Sequence, residues 1–185
     1  MKRNLSLTGG VAALVVAMSG CALQTPAYQV SIENIDTLKK TTTQPAKVGT
    51  FAAKAGTPAV QGISMRGSTL SSSVGGDYGA YLREALRQEL ELAKRLNASA
   101  DLEISGELLN TDVDTGVGKG FIDARFVVTQ KGQIRFDKVK HADLEWETSF
   151  AAAIALPRAQ QNYPLIVQRL LTSLYADVDF QNALK

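Results

Sequence analysis

The clearest periodic pattern in the chain is an apolar stripe over residues 77–97. At 100° per residue, the apolar side chains fall on one broad face and the charged side chains fall opposite. That face comprises Tyr78, Tyr81, Leu82, Ala85, Leu86, Leu90, Leu92, Ala93 and Leu96. Asp77 is suited to cap the start of this helix, and Asn97 is suited to follow its end. The pattern predicts an amphipathic α-helix.

A second apolar stripe predicts another helix that ends near Ala176. Its members are Ala159, Tyr163, Ile166, Val167, Leu170, Leu171 and Leu174. Pro157 fits the first turn of such a helix, whereas Pro164 is expected to bend it or to delay its start. In the tail that follows, Phe180 is expected to dock on the domain.

Between the two helices, alternating apolar and polar positions predict three strands. They cover residues 100–113, 121–129 and 133–150. Lys131 and Gly132 form a tight turn between the last two strands, and such short connections predict an antiparallel meander. Lys138 and Lys140 interrupt the alternation, which predicts a bulge or twist near Val139.

The pattern before the first helix is weaker. Alternation predicts strands at residues 28–35 and 47–53, and more weakly at residues 63–68. Polar residues predict a loop at residues 36–46 and an exposed loop at residues 68–76. The order is strands, helix, three strands, helix. It predicts an α+β fold in which two amphipathic helices pack on one face of an antiparallel sheet.

The first twenty residues are typical of an export signal. Lys2 and Arg3 precede an apolar core at residues 11–18, and no acid occurs before Cys21. The core is too short for a membrane-spanning helix, which needs about 20 apolar residues. The run ends in Ser19, Gly20 and Cys21, the only cysteine of the chain. An exported chain with one thiol cannot form an internal disulfide, so Cys21 needs another use.

Residues 18–21, Met-Ser-Gly-Cys, resemble the bacterial lipobox, with Met18 where Leu is usual. The resemblance implies cleavage before Cys21 and acylation of its thiol and new amine. Residues 1–20 would then be a lipoprotein signal peptide, residues 21–26 a lipidated tether and residues 27–185 a single α+β domain. Ala22 implies sorting to the outer membrane, facing the periplasm, in a Gram-negative envelope. The alternatives are an ordinary signal peptide followed by a chance cysteine, and an uncleaved membrane anchor.

Charge adds little to this picture. The chain has 20 Lys and Arg against 18 Asp and Glu, and without Lys2 and Arg3 the two counts are equal. This balance gives no argument for a nucleic-acid partner. Hydrophobic residues make up 45% of the chain, as is usual for a globular domain with a core.

Residues that could carry catalysis are few. His141 is the only histidine and Cys21 is assigned to lipid, so no nucleophile–base pair or zinc site can be assembled. We therefore expect a protein that is not an enzyme, with no catalytic residue, no metal site and no cofactor. Asp112, Asp114 and Asp123 are the carboxylates that could meet at one end of the meander. Residues 112–120 lack the Gly and closing Glu of a calcium loop, which favours a polar hairpin loop.

Two further features allow a binding interpretation. Arg135, Lys138 and Lys140 lie in a basic run that could contact anionic lipid or a partner, and the alternative is a solvated strand face. Glu89 lies within the apolar stripe of the first helix, where a buried carboxylate needs a partner. We expect a structural pair with an arginine or a polar gap at the sheet, and the alternative is contact with a partner protein.

The element order resembles that of small envelope lipoproteins. The likeness rests on KVGTFAA at residues 47–53, YLREALRQELELAKRL at 81–96 and ADLEISGEL at 100–108. The group includes auxiliary lipoproteins of ABC-type export systems, the lipopolysaccharide-assembly lipoprotein and the amino-terminal domain of TolB. The resemblance implies a non-catalytic, membrane-anchored accessory or adaptor that binds an envelope protein in transport or assembly. The alternative is a lipid or glycolipid binder with a pocket between helices and sheet.

Overall fold

The computed structural model describes residues 22–57 and 62–185. Within them the strands are β1 (Ala22–Gln24), β2 (Ala46–Ala53), β3 (Ile63–Met65), β4 (Ser68–Ser71), β5 (Leu102–Asp114), β6 (Lys119–Gln130) and β7 (Gln133–Glu145). The helices are α1 (Ile32–Thr41), α2 (Tyr78–Leu92), α3 (Ala152–Tyr175) and α4 (Val178–Ala183). The predicted signal peptide and Cys21 lie outside the described residues.

The main sheet has the strand order β2-β5-β6-β7. Strands β5, β6 and β7 form the antiparallel meander that the sequence predicts, with the turn at Lys131 and Gly132. Strand β2 pairs with β5 in parallel, so the sheet is mixed and the prediction of a purely antiparallel sheet is wrong. The long connection from β2 to β5 contains α2, which gives the crossover that parallel pairing requires. The α+β class is confirmed.

A small second sheet has the order β1-β4-β3. Arg66 and Gly67 adopt positive φ angles of 47° and 81°, which suits a two-residue hairpin turn between β3 and β4. The turn interrupts the strand predicted for residues 63–68. Part of the loop predicted for residues 68–76 forms β4 instead. The first strand β1 pairs in parallel with β4. Strand β1 therefore occupies residues 22–24 of the segment 21–26, which is predicted to be a lipidated tether.

The predictions for residues 28–35 and 36–46 are wrong, because α1 begins at Ile32 and ends at Thr41. The Ser31 side chain caps the helix by accepting a hydrogen bond from the Asn34 amide at 3.3 Å. The buried side chains are Asn34, Ile35 and Leu38, which have helical spacing. A short helix with three inward residues carries too weak a period to outweigh the apparent alternation.

Helices α2 and α3 pack on one face of the main sheet, as predicted, and α1 packs on both of them. The two apolar stripes supply much of the core, including the fully buried Leu86 and Leu170. Phe180 docks as predicted, with its ring 5.5 Å from the ring of Phe136.

Two local predictions are wrong. The register of β6 and β7 shifts where Ile134 and Phe136 face consecutive residues of β6, so the bulge is at Arg135 and not near Val139. Helix α3 begins at Ala152, which places Pro157 in its second turn, and it continues through Pro164. Among the described residues, the helices are each too short or too polar to cross a membrane.

The core assignment predicts the effect of a buried charge. Leu86→Asp or Leu170→Asp should lower the free energy of unfolding by about 3 kcal/mol or more, because each places an unpaired carboxylate in the core. Leu92→Asp is the matched control, since Leu92 is half-exposed on α2, and it should cost less than about 1 kcal/mol. Urea denaturation followed by circular dichroism measures all three. Equal losses for Leu86→Asp and Leu92→Asp would contradict the assignment.

Candidate functional site

The described chain begins at Ala22, the residue bonded to the predicted lipidation residue Cys21. Ala22 starts β1 and lies opposite Thr69 of β4. Because β1 and β4 run in the same direction, Ala22 lies at the end of the small sheet that carries the turn at Arg66 and Gly67.

Arg66 connects this turn to two other segments. Its guanidinium donates hydrogen bonds to the carbonyl of Phe150 at 2.8 Å and to the carbonyl of Thr115 at 3.0 Å. The Thr148 hydroxyl donates to the same Thr115 carbonyl at 2.7 Å. The start of α3 and the β5–β6 turn therefore lie beside the β3–β4 turn. We call this region, comprising Ala22 and residues 66–67, 115–118 and 150–154, the Ala22 end.

The segment after Ala22 is fastened along α3. The Gln160 side chain donates to the carbonyl of Gln24 at 2.5 Å, and the Gln168 side chain donates to the carbonyl of Gln29 at 2.6 Å. Gln160 precedes Gln168 on α3, as Gln24 precedes Gln29, so residues 24–29 run beside α3 in the same direction. Consequently the chain that follows Cys21 has a fixed position relative to α3.

A buried carboxylate secures the other end of this segment. Glu89 of α2 is fully buried and accepts hydrogen bonds from the Tyr28 hydroxyl at 2.6 Å, the Ser31 amide at 3.1 Å and the Asn34 side chain at 3.1 Å. Asn34 also accepts from the Thr172 hydroxyl of α3 at 2.7 Å. The carboxylate thus joins the N-terminal segment to all three long helices.

The partners of Glu89 correct the predicted pair with an arginine. The donors named above are neutral and come from residues 28–34, a segment predicted to be a strand. Burial raises the pKa of Glu89 above its ordinary value, and the donors from Tyr28, Ser31 and Asn34 lower it part of the way back. Burial also raises the pKa of Tyr28, and the nearby Glu89 charge adds to this effect.

The predicted basic run, Arg135, Lys138 and Lys140, lies on β7 and not at the Ala22 end. Lys138 bonds Asp177 at 3.0 Å and Asp179 at 2.7 Å, and Lys140 bonds Asp177 at 3.0 Å. Although burial opposes ionisation of Asp177, the hydrogen bonds from both lysines lower its pKa to about 2. Acidic partners therefore offset much of the positive charge on which the predicted lipid contact depends.

Arg135, the third residue of the run, donates to the Gln130 side chain at 2.5 Å. It lies near the start of β7, whereas Glu145 at the end of β7 faces Lys119 beside the β5–β6 turn. About 33 Å of extended strand separates Arg135 from the Ala22 end. Contact of Arg135, Lys138 and Lys140 with anionic lipid or a partner stays a prediction.

His141 lies on the open face of the sheet, with Nδ1 2.7 Å from Asp123 Oδ1 and Nε2 3.7 Å from Asp143 Oδ1. The Asp114 side chain accepts a hydrogen bond from the Gly116 amide at 2.7 Å, which stabilises the β5–β6 turn. Across residues 22–57 and 62–185, no three His, Cys, Asp or Glu side chains are placed to hold a metal ion. Asp112, Asp114 and Asp123 accordingly do not form such a group.

The described residues thus form an α+β domain with α2 and α3 on one face of a mixed main sheet. The crystal structure of protein XCC0632 from Xanthomonas campestris, of the family DUF330, is similar with a TM-score of 0.62 and 10% identity. The match covers 88% of this chain and 96% of that chain. At this identity the likeness shows a shared fold alone.

The hypothetical protein CT253 from Chlamydia trachomatis is also similar, with a TM-score of 0.48 and 13% identity over 74% of this chain and 95% of that chain. No protein-family description and no curated protein matches the chain.

The raised pKa of Glu89 predicts a pH-dependent stability. A carboxyl group with a raised pKa in the folded state favours folding when it is protonated, and this contribution is lost as pH rises through that pKa. A pKa that is higher by one in the folded than in the unfolded state corresponds to about 1.4 kcal/mol. The free energy of unfolding of the wild type should therefore fall, relative to that of Glu89→Gln, as pH rises above about 4.5.

Urea denaturation at several pH values between about 4 and 8 measures this difference. Leu92→Gln is the control, because Leu92 is half-exposed on the same helix and its replacement removes no titratable group, so its profile should run parallel to that of the wild type. A difference between wild type and Glu89→Gln that stays constant with pH would contradict the prediction.

Proposed function

We propose that the chain is a non-catalytic, lipid-anchored envelope protein that serves as an accessory or adaptor for a transport or assembly system. The observation that carries the proposal is the position of Ala22. The residue after Cys21 begins a strand that is built into the domain, so acyl chains on Cys21 would hold the folded domain directly at a membrane. Outer-membrane sorting and exposure to the periplasm belong to the same proposal.

The N-terminal sequence supports the anchor. Lys2 and Arg3, the apolar core and the Ser-Gly-Cys ending are the parts of a lipoprotein export signal. Several acyl chains anchor a protein stably, because each buried methylene contributes about 0.8 kcal/mol.

The contacts of His141 favour a role without catalysis. A hydrolytic dyad or triad needs a nucleophile in hydrogen-bond contact with its base. With Nδ1 of His141 against Asp123, a nucleophile would have to face Nε2, and the group near Nε2 is the Asp143 carboxylate, whose Oδ1 lies 3.7 Å away. An adaptor that works by binding requires no such set of residues.

The alternative of a lipid binder has less support. The space between helices and sheet is occupied by fully buried side chains, among them Leu86, Phe126 and Leu170. A surface cavity of about 360 Å³ is lined by charged residues including Arg135, Lys138 and Asp179. A site for an acyl chain would be deep and mostly apolar.

Replacement of the lipidation residue tests the anchor. In cells that express the Cys21→Ser chain, this chain should retain residues 1–20 and carry no acyl group, because the acceptor thiol is absent. The measurements are the intact mass and detergent partition. Met18→Leu is the control, since it restores the usual lipobox residue and should leave processing unchanged. Cleavage before residue 21 and detergent partition of the Cys21→Ser chain would refute the anchor.

The adaptor role is tested by crosslinking in intact envelopes. Affinity purification of the wild type should enrich components of an envelope transport or assembly system, and the Cys21→Ser chain should lose them. An equal set of crosslinked proteins from both chains would contradict a role that depends on the anchor.

Absence of catalysis is a separate prediction. The purified processed protein should give no turnover in esterase, glycosidase and phosphatase screens and should carry no metal in stoichiometric amount. Reproducible turnover that His141→Ala or Asp112→Asn abolishes, while each variant keeps the wild-type unfolding transition, would replace the adaptor with an enzyme.

A further inference from the structure

We propose that the Ala22 end is a membrane-contact surface, in which Phe150, Ile154 and Val117 enter the interface of the bilayer that holds the acyl chains of Cys21. The inference rests on the proposed lipid anchor. It adds which surface of the domain faces the lipid and which side chains contact it.

The first observation is the exposure of apolar side chains at this end. Phe150 is fully exposed, Val117 is 68% exposed and Ile154 is 47% exposed. Residues 151–153 between them are exposed alanines. No charged residue occurs between Glu147 and Arg158. Clustered exposed apolar residues mark a contact surface for a membrane or a protein, whereas single ones need no explanation.

The second observation is that these residues come from separate segments brought together by hydrogen bonds. The Arg66 side chain donates hydrogen bonds to the carbonyls of Phe150 and Thr115, and Thr115 is two residues before Val117. The hydrogen bond from Gln160 to Gln24 lies about 9 Å along α3 from Ile154 and about 7 Å along β1 from Ala22. Ala22 is therefore level with the first turns of α3.

The third observation selects lipid as the occupant. The described chain starts at Ala22, one peptide unit or about 3.8 Å from the α-carbon of Cys21. With β1 fixed in the domain, no flexible linker from Ala22 onward can lift this end away from the anchored acyl chains. Apolar side chains at that distance can bury themselves about 5–10 Å into the boundary between headgroups and acyl chains.

The test uses the processed, acylated protein, in which the thiol of Cys21 is blocked by its acyl chain. Phe150→Cys therefore introduces a single reactive thiol, which is labelled with an environment-sensitive fluorophore. Val117→Cys does the same on a second segment. Ile134→Cys is the matched control, because Ile134 is 65% exposed but lies near the start of β7, remote from the Ala22 end.

Each labelled protein is reconstituted in vesicles of phosphatidylethanolamine and phosphatidylglycerol that contain a nitroxide-labelled lipid. We expect the labels at positions 150 and 117 to be quenched at least about threefold more than the label at 134, because only the former lie at interfacial depth. Equal quenching at all three positions would overturn the inference. The inference would also be overturned if neither the lipid nitroxide nor a soluble quencher reached the labels at 150 and 117. In that case a protein surface, and not lipid, covers them.

The intact mass of each labelled protein separates the two proposals. An acylated Cys21 with equal quenching overturns the membrane-contact surface and leaves the anchor intact. A chain without acyl groups overturns both.

Discussion

The position of the N-terminal segment depends on the buried carboxylate of Glu89. Tyr28, Ser31 and Asn34 direct their donors at it, so detaching this segment would leave a carboxylate and several donors without partners. Each unsatisfied buried group costs about 1–3 kcal/mol, and the cost is higher for charged groups. This network keeps β1 and residues 25–31 against α2 and α3. The direction in which the chain leaves the domain therefore follows from this buried polar cluster together with the pairing of β1 with β4 and the hydrogen bonds from Gln160 and Gln168.

The long periodic segments of this fold were predictable from the sequence, and the non-local pairings were not. Helix α2 and the β5–β7 meander carry repeats over a dozen residues or more, and adjacent strands pair through short turns. The parallel pairing of β2 with β5 joins residues 55–56 positions apart, such as Ala46 with Leu102 and Ala53 with Leu108, and no local pattern encodes it. Helix α1 was missed because its cap and three inward side chains give a signal shorter than the neighbouring alternation.

Sequence reasoning found single residues of the candidate site but not their neighbours. Glu89 is conspicuous because an acid interrupts an apolar stripe, yet its partners lie 55–61 residues earlier in the chain. The basic run on β7 was visible, whereas Asp177 and Asp179, which offset its charge, come from the N-cap and the first turn of α4, 37–41 residues later. The Ala22 end depends on Arg66 reaching segments 49 and 84 residues away, which no spacing rule indicates.

The fixed start of β1 has a consequence for reach. A lipoprotein with a long tether can explore the space between two membranes, whereas under the proposed anchor on Cys21 the domain would extend from the membrane only by its own length. Strand β5 contains 13 residues, and an extended strand of that size spans about 43 Å. A protein bound at the far end of the sheet, near Lys131 and Gly132, would therefore have to approach to within one domain length of the lipid headgroups.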